Sequence, residues 1–560
     1  MDTKSQFKAL VCTVLLVWTL GIVVSWSSGS VFPYLPLTLA VCCLLLLVFI
    51  SVSENVRPIA TPLLVVIVIN STMYRLVVFL FPRSLIGVDP NTYAEGAGRA
   101  IAAHDFSAVG IPFYDTASGY LSYVVTVYHL TGVSIPQSFI FLTVVAGVGY
   151  PLFSYLILRR SATSPKVPIL AALVTSVVSY SLLFSFWPIP QTQTAVVFLL
   201  FVYCLLPLVG LAERRFSVVL LVLSLAIVTT HKLIPLTMVL LLLSVWGIML
   251  LARTDLLPSP STRRFRQGDL VPGQSILVLC TIIGLFVGVL WVFYTDFIAN
   301  VVGHLLALVL VSDSGDEPFR AAAATRPLSP FWHLVLNRSN TIVLIILSAL
   351  SWLYILGTRR WRTAFPFALL LAAVASTGLF VVFSIISDAA ILISRGMFLY
   401  EAFAVLCIFG AGVLFSRRHT LNPILPVAFL LLSSQLGVGL IAPDSSYGPR
   451  FYLTEQELSG EQFTDSYATG EVHTDFFYAR NQTNFKPTDE PITYHDISED
   501  LLNGDVYAPD RDRLLIREGV EIFETPGDGA WRINWDQLTD IETQYDRTYT
   551  NGGVSLYQKE

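Results

Sequence analysis

Asp89 and Glu95 are the first close pair of carboxylates in the chain, in the stretch Gly87-Val-Asp-Pro-Asn-Thr-Tyr-Ala-Glu95. They follow an apolar run at 59–81 that is long enough to cross a bilayer, so they emerge at a membrane surface. A carboxylate placed there can take a proton from a hydroxyl or hold a hard cation. His231-Lys232 forms a nearly loopless apex between two further apolar runs, where a cation suits an anionic headgroup or a diphosphate. Arg395, just before Met397-Phe-Leu-Tyr400, reads equally as a snorkelling boundary arginine and as a phosphate ligand. Gln191 and Gln193 follow Trp187-Pro188, and His104, Asp105 and Asp115 share the loop of Asp89. Asp316, Glu317, Arg320 and Asp388 complete the polar groups beside apolar runs. Charge that close to hydrocarbon is expensive, so a functional role is the default reading.

Each of these residues also has an ordinary reading. Asp89-Pro90-Asn91 is a turn and helix-start signal, with Asp89 as the cap and Pro90 at the first helical position. A cap and a catalytic carboxylate can coincide. Glu95 then simply faces solvent, Asp316-Glu317 belongs to a solvated turn, and His231-Lys232 caps an interfacial helix end.

The elements that must position these groups are membrane helices. Of 560 residues, 54% are hydrophobic and only 13% charged, and the mean hydropathy is +0.68. The expected fold is a polytopic α-helical membrane protein. Candidate spans lie at 8–26, 31–52, 59–81, 136–158, 168–186, 195–211, 216–230, 232–252, 274–300, 339–357, 364–386, 397–415 and 422–441, about thirteen in all. A cytoplasmic N-terminus puts every basic cluster on the inner side, from Arg57 through Arg159-Arg160 to Arg417-Arg418. The odd count sends the C-terminal part outside. Residues 119–132 are too short to span and are expected as an interfacial or re-entrant helix. A removable signal peptide is disfavoured, because the run at 9–24 is long and Trp26-Ser27 reads as a membrane interface.

Two domains follow: a membrane domain at 1–442 with outer loops at 82–135 and 301–338, and an extracellular domain at 443–560. From Ala442 onward there are 24 Asp and Glu against 9 Lys and Arg, a net of −15. Arginine outnumbers scarce lysine throughout, and with the acidic tail this suggests a high-salt organism. The strand-like pieces 513–516, 520–523 and 554–557, with a helix over 536–544, predict a small α+β fold there. All six cysteines fall in apolar runs, so neither disulfides nor a cysteine metal site is expected.

The Asp89 loop after an early span, the segment 120–132 leading into Ser134, the His231-Lys232 apex and the run Ser394-Arg395-Gly396-Met397-Phe398 resemble the GT-C superfamily. These are polytopic glycosyltransferases that use polyprenyl-phosphate-linked sugars. The number of spans, the long outer loops and the outer C-terminal domain especially resemble the oligosaccharyltransferase branch. The tail at 549–557 is similar to tails of archaeal membrane proteins of this kind, which implies an archaeal, haloarchaeal source. Two departures stand out. The Trp-Trp-Asp-Tyr-Gly acceptor motif of that branch is absent from the tail, and Asp89 is followed by Pro90 where the mannosyltransferase-like branch often has Asp-Glu.

The resemblance implies that Asp89 is a general base or the ligand of a divalent metal, Mg or Mn. It makes His231, Lys232 and Arg395 partners of the lipid phosphate, with Glu95 and Gln191 as further substrate-binding residues. The implied partners are a polyprenyl-phosphate-linked sugar, membrane lipid and a glycan or protein acceptor, not nucleic acid. A lipid-linked saccharide flippase is the alternative, although paired repeats and spans broken at the midplane are not seen. A non-catalytic anchored interaction protein is a third reading. It differs in that an enzyme of this layout keeps donor binding when the tail is removed.

Overall fold

A computed structural model of the chain describes residues 3–28, 34–77, 79, 84–111, 113–161, 164–178, 182, 187–211, 215–232, 234–251, 271–291, 323–325, 331–357, 401–410, 450, 452–480, 492–507, 511–525 and 529–559. The expected spans at 364–386 and 422–441 lie outside the described residues.

The apolar runs form helices, the one conformation in which a single segment satisfies its own backbone in lipid. Among the described residues they are α1 (Thr3–Ser28), α2 (Tyr34–Val52), α3 (Ala60–Val77), α4 (Val88–Ala103), α5 (Gly119–Thr131), α6 (Ile135–Ser161) and α7 (Lys166–Thr175). There follow α8 (Pro190–Leu211), α9 (Arg215–Thr230), α10 (Ile234–Leu251), α11 (Val271–Val289), α12 (Phe331–Gly357) and α13 (Glu401–Gly410). Five described helices are long and apolar enough to cross a membrane, over 4–27, 34–52, 57–77, 135–160 and 190–208. Six shorter apolar helices follow the later candidate spans in part. The chain is thus a multi-pass membrane protein.

Leu15, Leu16, Leu20 and Val23 of α1 are more than half exposed, an apolar face that suits lipid rather than water. The inner faces pack through small residues. Side chains added at Gly147 and Gly149 of α6 would strike Thr72 of α3 and Val196 of α8, so these helices meet at close range. Trp18 Nε1 donates to Asn70 Oδ1 at 2.9 Å, which ties α1 to α3. Five of the six cysteines are buried and all six are free, as small core hydrophobes.

The segment before the fourth expected span holds the two short helices foreseen there, α4 and α5. The C-terminal domain is built on a five-stranded sheet ordered β3-β2-β4-β8-β7. Its strands are β2 (Glu471–Thr474), β3 (Thr493–Asp496), β4 (Arg513–Arg517), β7 (Asp546–Thr550) and β8 (Val554–Gln558). A second sheet is ordered β1-β6-β5, from β5 (Ile522–Thr525), β6 (Gly529–Ile533) and β1 (Ala324–Thr325). The strand β1 comes from the segment between α11 and α12, so residues 324–325 are sewn into the C-terminal domain. Among the described residues the domain also has four helices: α14 (Glu455–Tyr467), α15 (Phe476–Arg480), α16 (Ser498–Asn503) and α17 (Gln537–Ile541).

Candidate active site

The turn that delivers Asp89 is fixed by its neighbours. Gly87 takes φ 101°, and a Cβ there would lie 3.1 Å from the indole of Trp187, so glycine is required twice over. Asn91 is buried and donates through Nδ2 to the carbonyls of Leu85 at 3.0 Å and Gly87 at 2.7 Å. This corrects the expectation that Asp89 is the cap. The helix N-cap is Gly87, which makes no side-chain capping bond, and Asp89 lies in the first turn. Pro90 is therefore not the first helical residue, and Asn91 stitches the turn. A half-buried carboxylate in a first turn is favoured by the helix dipole.

One turn on, Tyr93 packs edge-on against Tyr114 and Tyr120, with ring centroids at 5.2 and 5.4 Å. Tyr120 is fully buried and its hydroxyl donates to the carbonyl of Pro188. Burial, then the charges of Tyr93 and Asp89, hold the Tyr120 phenol well above its ordinary pKa, so it stays a donor. The residue before it, Gly119, abuts the end of α9. A Cβ at Gly119 would sit 2.6 Å from Thr229 Oγ1 and 3.0 Å from the Thr229 carbonyl oxygen. Thr229 is two residues before His231. The first turn of α5 thus touches the Asp89 cluster on one side and the base of the His231-Lys232 apex on the other.

At that apex His231 is buried, and its Nδ1 accepts from the backbone N–H of Ile234 at 3.2 Å. The ring therefore caps α10, and an accepting Nδ1 leaves its hydrogen on Nε2 in a neutral imidazole. The formal charge at the apex is that of half-buried Lys232. Gln191 is buried in the first turn of α8, beside the Trp187-Pro188 turn.

Glu95 pairs with Arg99, which also donates to the Val109 carbonyl and so fastens α4 to the Phe106–Val109 turn. Asp105 caps that turn through Ser107, whose two hydrogen bonds hold the carboxyl below its usual range. His104 is the left-handed C-cap of α4. Arg395, Asp316, Glu317, Arg320 and Asp388 lie outside the described residues.

Two charged residues not singled out in the sequence stand out in the structure. Arg75 of α3 is fully buried, donates to Ser71 Oγ at 2.7 Å, and lies 5.9 Å from the centre of the Tyr150 ring. Glu401 of α13 is likewise buried and accepts from Asn340 Nδ2 at 3.3 Å and Thr341 Oγ1 at 3.1 Å. The signal for both was present, since a charge within an apolar run is itself informative.

No group of three or more His, Cys, Asp and Glu side chains among the described residues is arranged to hold a metal ion. A hard divalent cation needs several oxygen ligands.

No family description matches the sequence, and no curated protein is similar to it. Solved structures do align with the chain. One is ArnT from Cupriavidus metallidurans bound to undecaprenyl phosphate, at 13% identity and a TM-score of 0.44, covering 89% of this chain and 97% of that one. The apo state of the same protein aligns at a TM-score of 0.45 and 13% identity, over 89% and 98% of the two chains. The Archaeoglobus fulgidus oligosaccharyltransferase, in complex with Zn and sulfate, aligns at 11% identity and a TM-score of 0.44, over 86% and 68%. Likenesses of this extent assign no residue of this chain a role.

Proposed function

We propose that the chain is a GT-C-type glycosyltransferase. In this reading it moves a sugar or glycan from a polyprenyl-phosphate-linked donor to an acceptor on the outer membrane face. The observation that carries the reading is the position of α5, which joins the Asp89 turn to the base of the His231-Lys232 apex. A group able to deprotonate and a cation are thereby held at one end of one helical body.

The chemistry needs both. As the acceptor hydroxyl attacks the anomeric carbon, Asp89 takes its proton. The bond from that carbon to the phosphate oxygen breaks, and negative charge grows on the phosphate. Lys232 neutralises it, aided by His231 through its Nε2 hydrogen. Arg395 is a further phosphate partner in this reading, and Gln191 a ligand of the sugar. Glu95, held by Arg99, serves by fixing α4. The acidic external domain suits a salty exterior and leads us to assign a haloarchaeal source.

A strain lacking the chain should accumulate the lipid-linked glycan that it consumes, which is read by analysis of membrane lipids. An unchanged lipid-linked pool would overturn the reading. Lys232→Met should weaken donor use and turnover together. A hydrogen bond to a charged group contributes about 1.5–3 kcal/mol, so kcat/KM should fall roughly 10- to 150-fold. A variant indistinguishable from the parent would remove Lys232 from the phosphate site.

A further inference from the structure

The start of α4 has no side-chain cap of its own, yet it must hold Asp89 still. An uncapped helix start frays unless tertiary contacts hold it. Besides the Asn91 bonds, such contacts come from the C-terminal domain, more than three hundred residues away in sequence. The backbone N–H of Leu453 donates to Ser84 Oγ at 2.8 Å, and both residues are buried. Ser84 in turn donates to the carbonyl of Leu85 at 3.1 Å. Val88, the residue before Asp89, packs into the apolar cluster of Leu453, Val472, Phe477, Tyr478 and Leu515. The short helix α15 lies against α4.

The same domain also grips the second outer loop. Ala323 donates to the Leu502 carbonyl at 3.0 Å and accepts from Asn534 N at 2.9 Å, and Ala324 and Thr325 pair with Ile533 and Arg532. Two excursions that leave the membrane body far apart in sequence are therefore joined by one folded unit. A buried N–H given to a side-chain oxygen across such a seam fixes the position of the oxygen's own backbone.

We infer that the C-terminal domain is the positioning element of Asp89, and that Ser84 is the positioning residue through which it acts. Removing the domain should then leave lipid-phosphate binding at Lys232 while turnover collapses. The catalytic part of this inference rests on the glycosyltransferase reading; the mechanical part does not.

The test uses the full chain in detergent or lipid discs and compares Ser84→Ala with Ser84→Thr by hydrogen–deuterium exchange. Ser84→Ala leaves the Leu453 N–H without its acceptor. Exchange over residues 85–95 should rise about tenfold while α6 and the sheet β4-β8 keep parental protection. Ser84→Thr retains the hydroxyl and should restore the slow exchange. Val88→Ala, which removes the apolar half of the seam, should give the same local pattern and stands in if Ser84→Ala does not accumulate. Parental exchange at 85–95 in both alanine variants, or a rise spread through the whole chain, would overturn the inference.

The kinetic arm uses the lipid-linked glycan isolated from the deletion strain. Ser84→Ala should lower kcat at least about fivefold with KM for that donor unchanged, since it moves the base and not the cation site. A rise in KM with kcat kept would overturn the assignment of Ser84 to Asp89. A parental protein that turns over no such glycan would refute the glycosyltransferase reading, and the exchange result would still decide the seam.

Discussion

Asp89→Asn should reduce transfer about 10²- to 10⁴-fold, the usual contribution of a positioned general base, with normal folding and membrane insertion. The structure makes this substitution cleaner than the sequence promised. Had Asp89 been the cap, its amide would have had to keep the capping bond for the test to isolate basicity. The N-cap is instead Gly87, and the turn is tied by Asn91 to the carbonyls of Leu85 and Gly87. An amide at position 89 disturbs none of these bonds. It removes a first-turn charge whose interaction with the helix dipole is typically about 0.3–1 kcal/mol, too little to unfold the helix. Glycan transfer in a deletion strain carrying each variant is the measurement. Recovery of parental transfer by Asp89→Asn would exclude Asp89 as the base.

The apolar runs and the two short helices between α3 and α6 were legible because length and hydropathy are local properties. Gly119 and Gly132 bracket α5 in the sequence as they do in the structure, and Pro82 to Ile135 is long enough for two short helices. The strands at 513–516 and 554–557 were legible from β-branched and aromatic residues beside turn signals. Their partnership was not: β4 pairs with β8, while β5, close to β4 in sequence, joins the other sheet. Strand pairing is decided by which apolar faces bury together, and a single chain read in order does not display it.

The start of α14 could have been read. Thr454 and Glu457 are spaced as a capping box, and both reciprocal bonds form. Arg75 could have been flagged as the charge inside the run 59–81. The neutral state of His231 was beyond reach, because it follows from the Ile234 N–H reaching its Nδ1. The seam between Ser84 and Leu453 was hidden for the same reason as the β1–β6 pairing. Both join segments more than two hundred residues apart, and neither end carries a local signature of the other.

The largest expected effect on stability lies in the C-terminal domain. Arg517 and Asp475 are both buried and form a two-pronged ion pair, Nε to Oδ2 at 2.8 Å and Nη2 to Oδ1 at 2.7 Å. Burial pushes the Arg517 guanidinium towards release of its proton, but Asp475 and then Glu457 outweigh it and hold the pKa above the ordinary arginine value. Asp475 Oδ1 also accepts from the backbone N–H groups of Phe477 and Tyr478, so the same carboxylate starts α15. Asp475→Ala therefore strands a buried cation and uncaps the helix that lies against α4. Breaking a buried pair from one side typically costs about 3–5 kcal/mol. The C-terminal domain of Asp475→Ala should become protease-sensitive at temperatures where the parent resists. Asp475→Leu with Arg517→Met should recover part of the loss, because no charge is then left unpaired, but not all of it, because the cap of α15 is still missing. Equal protease resistance of the single variant and the parent would show that the pair is not what holds this domain together.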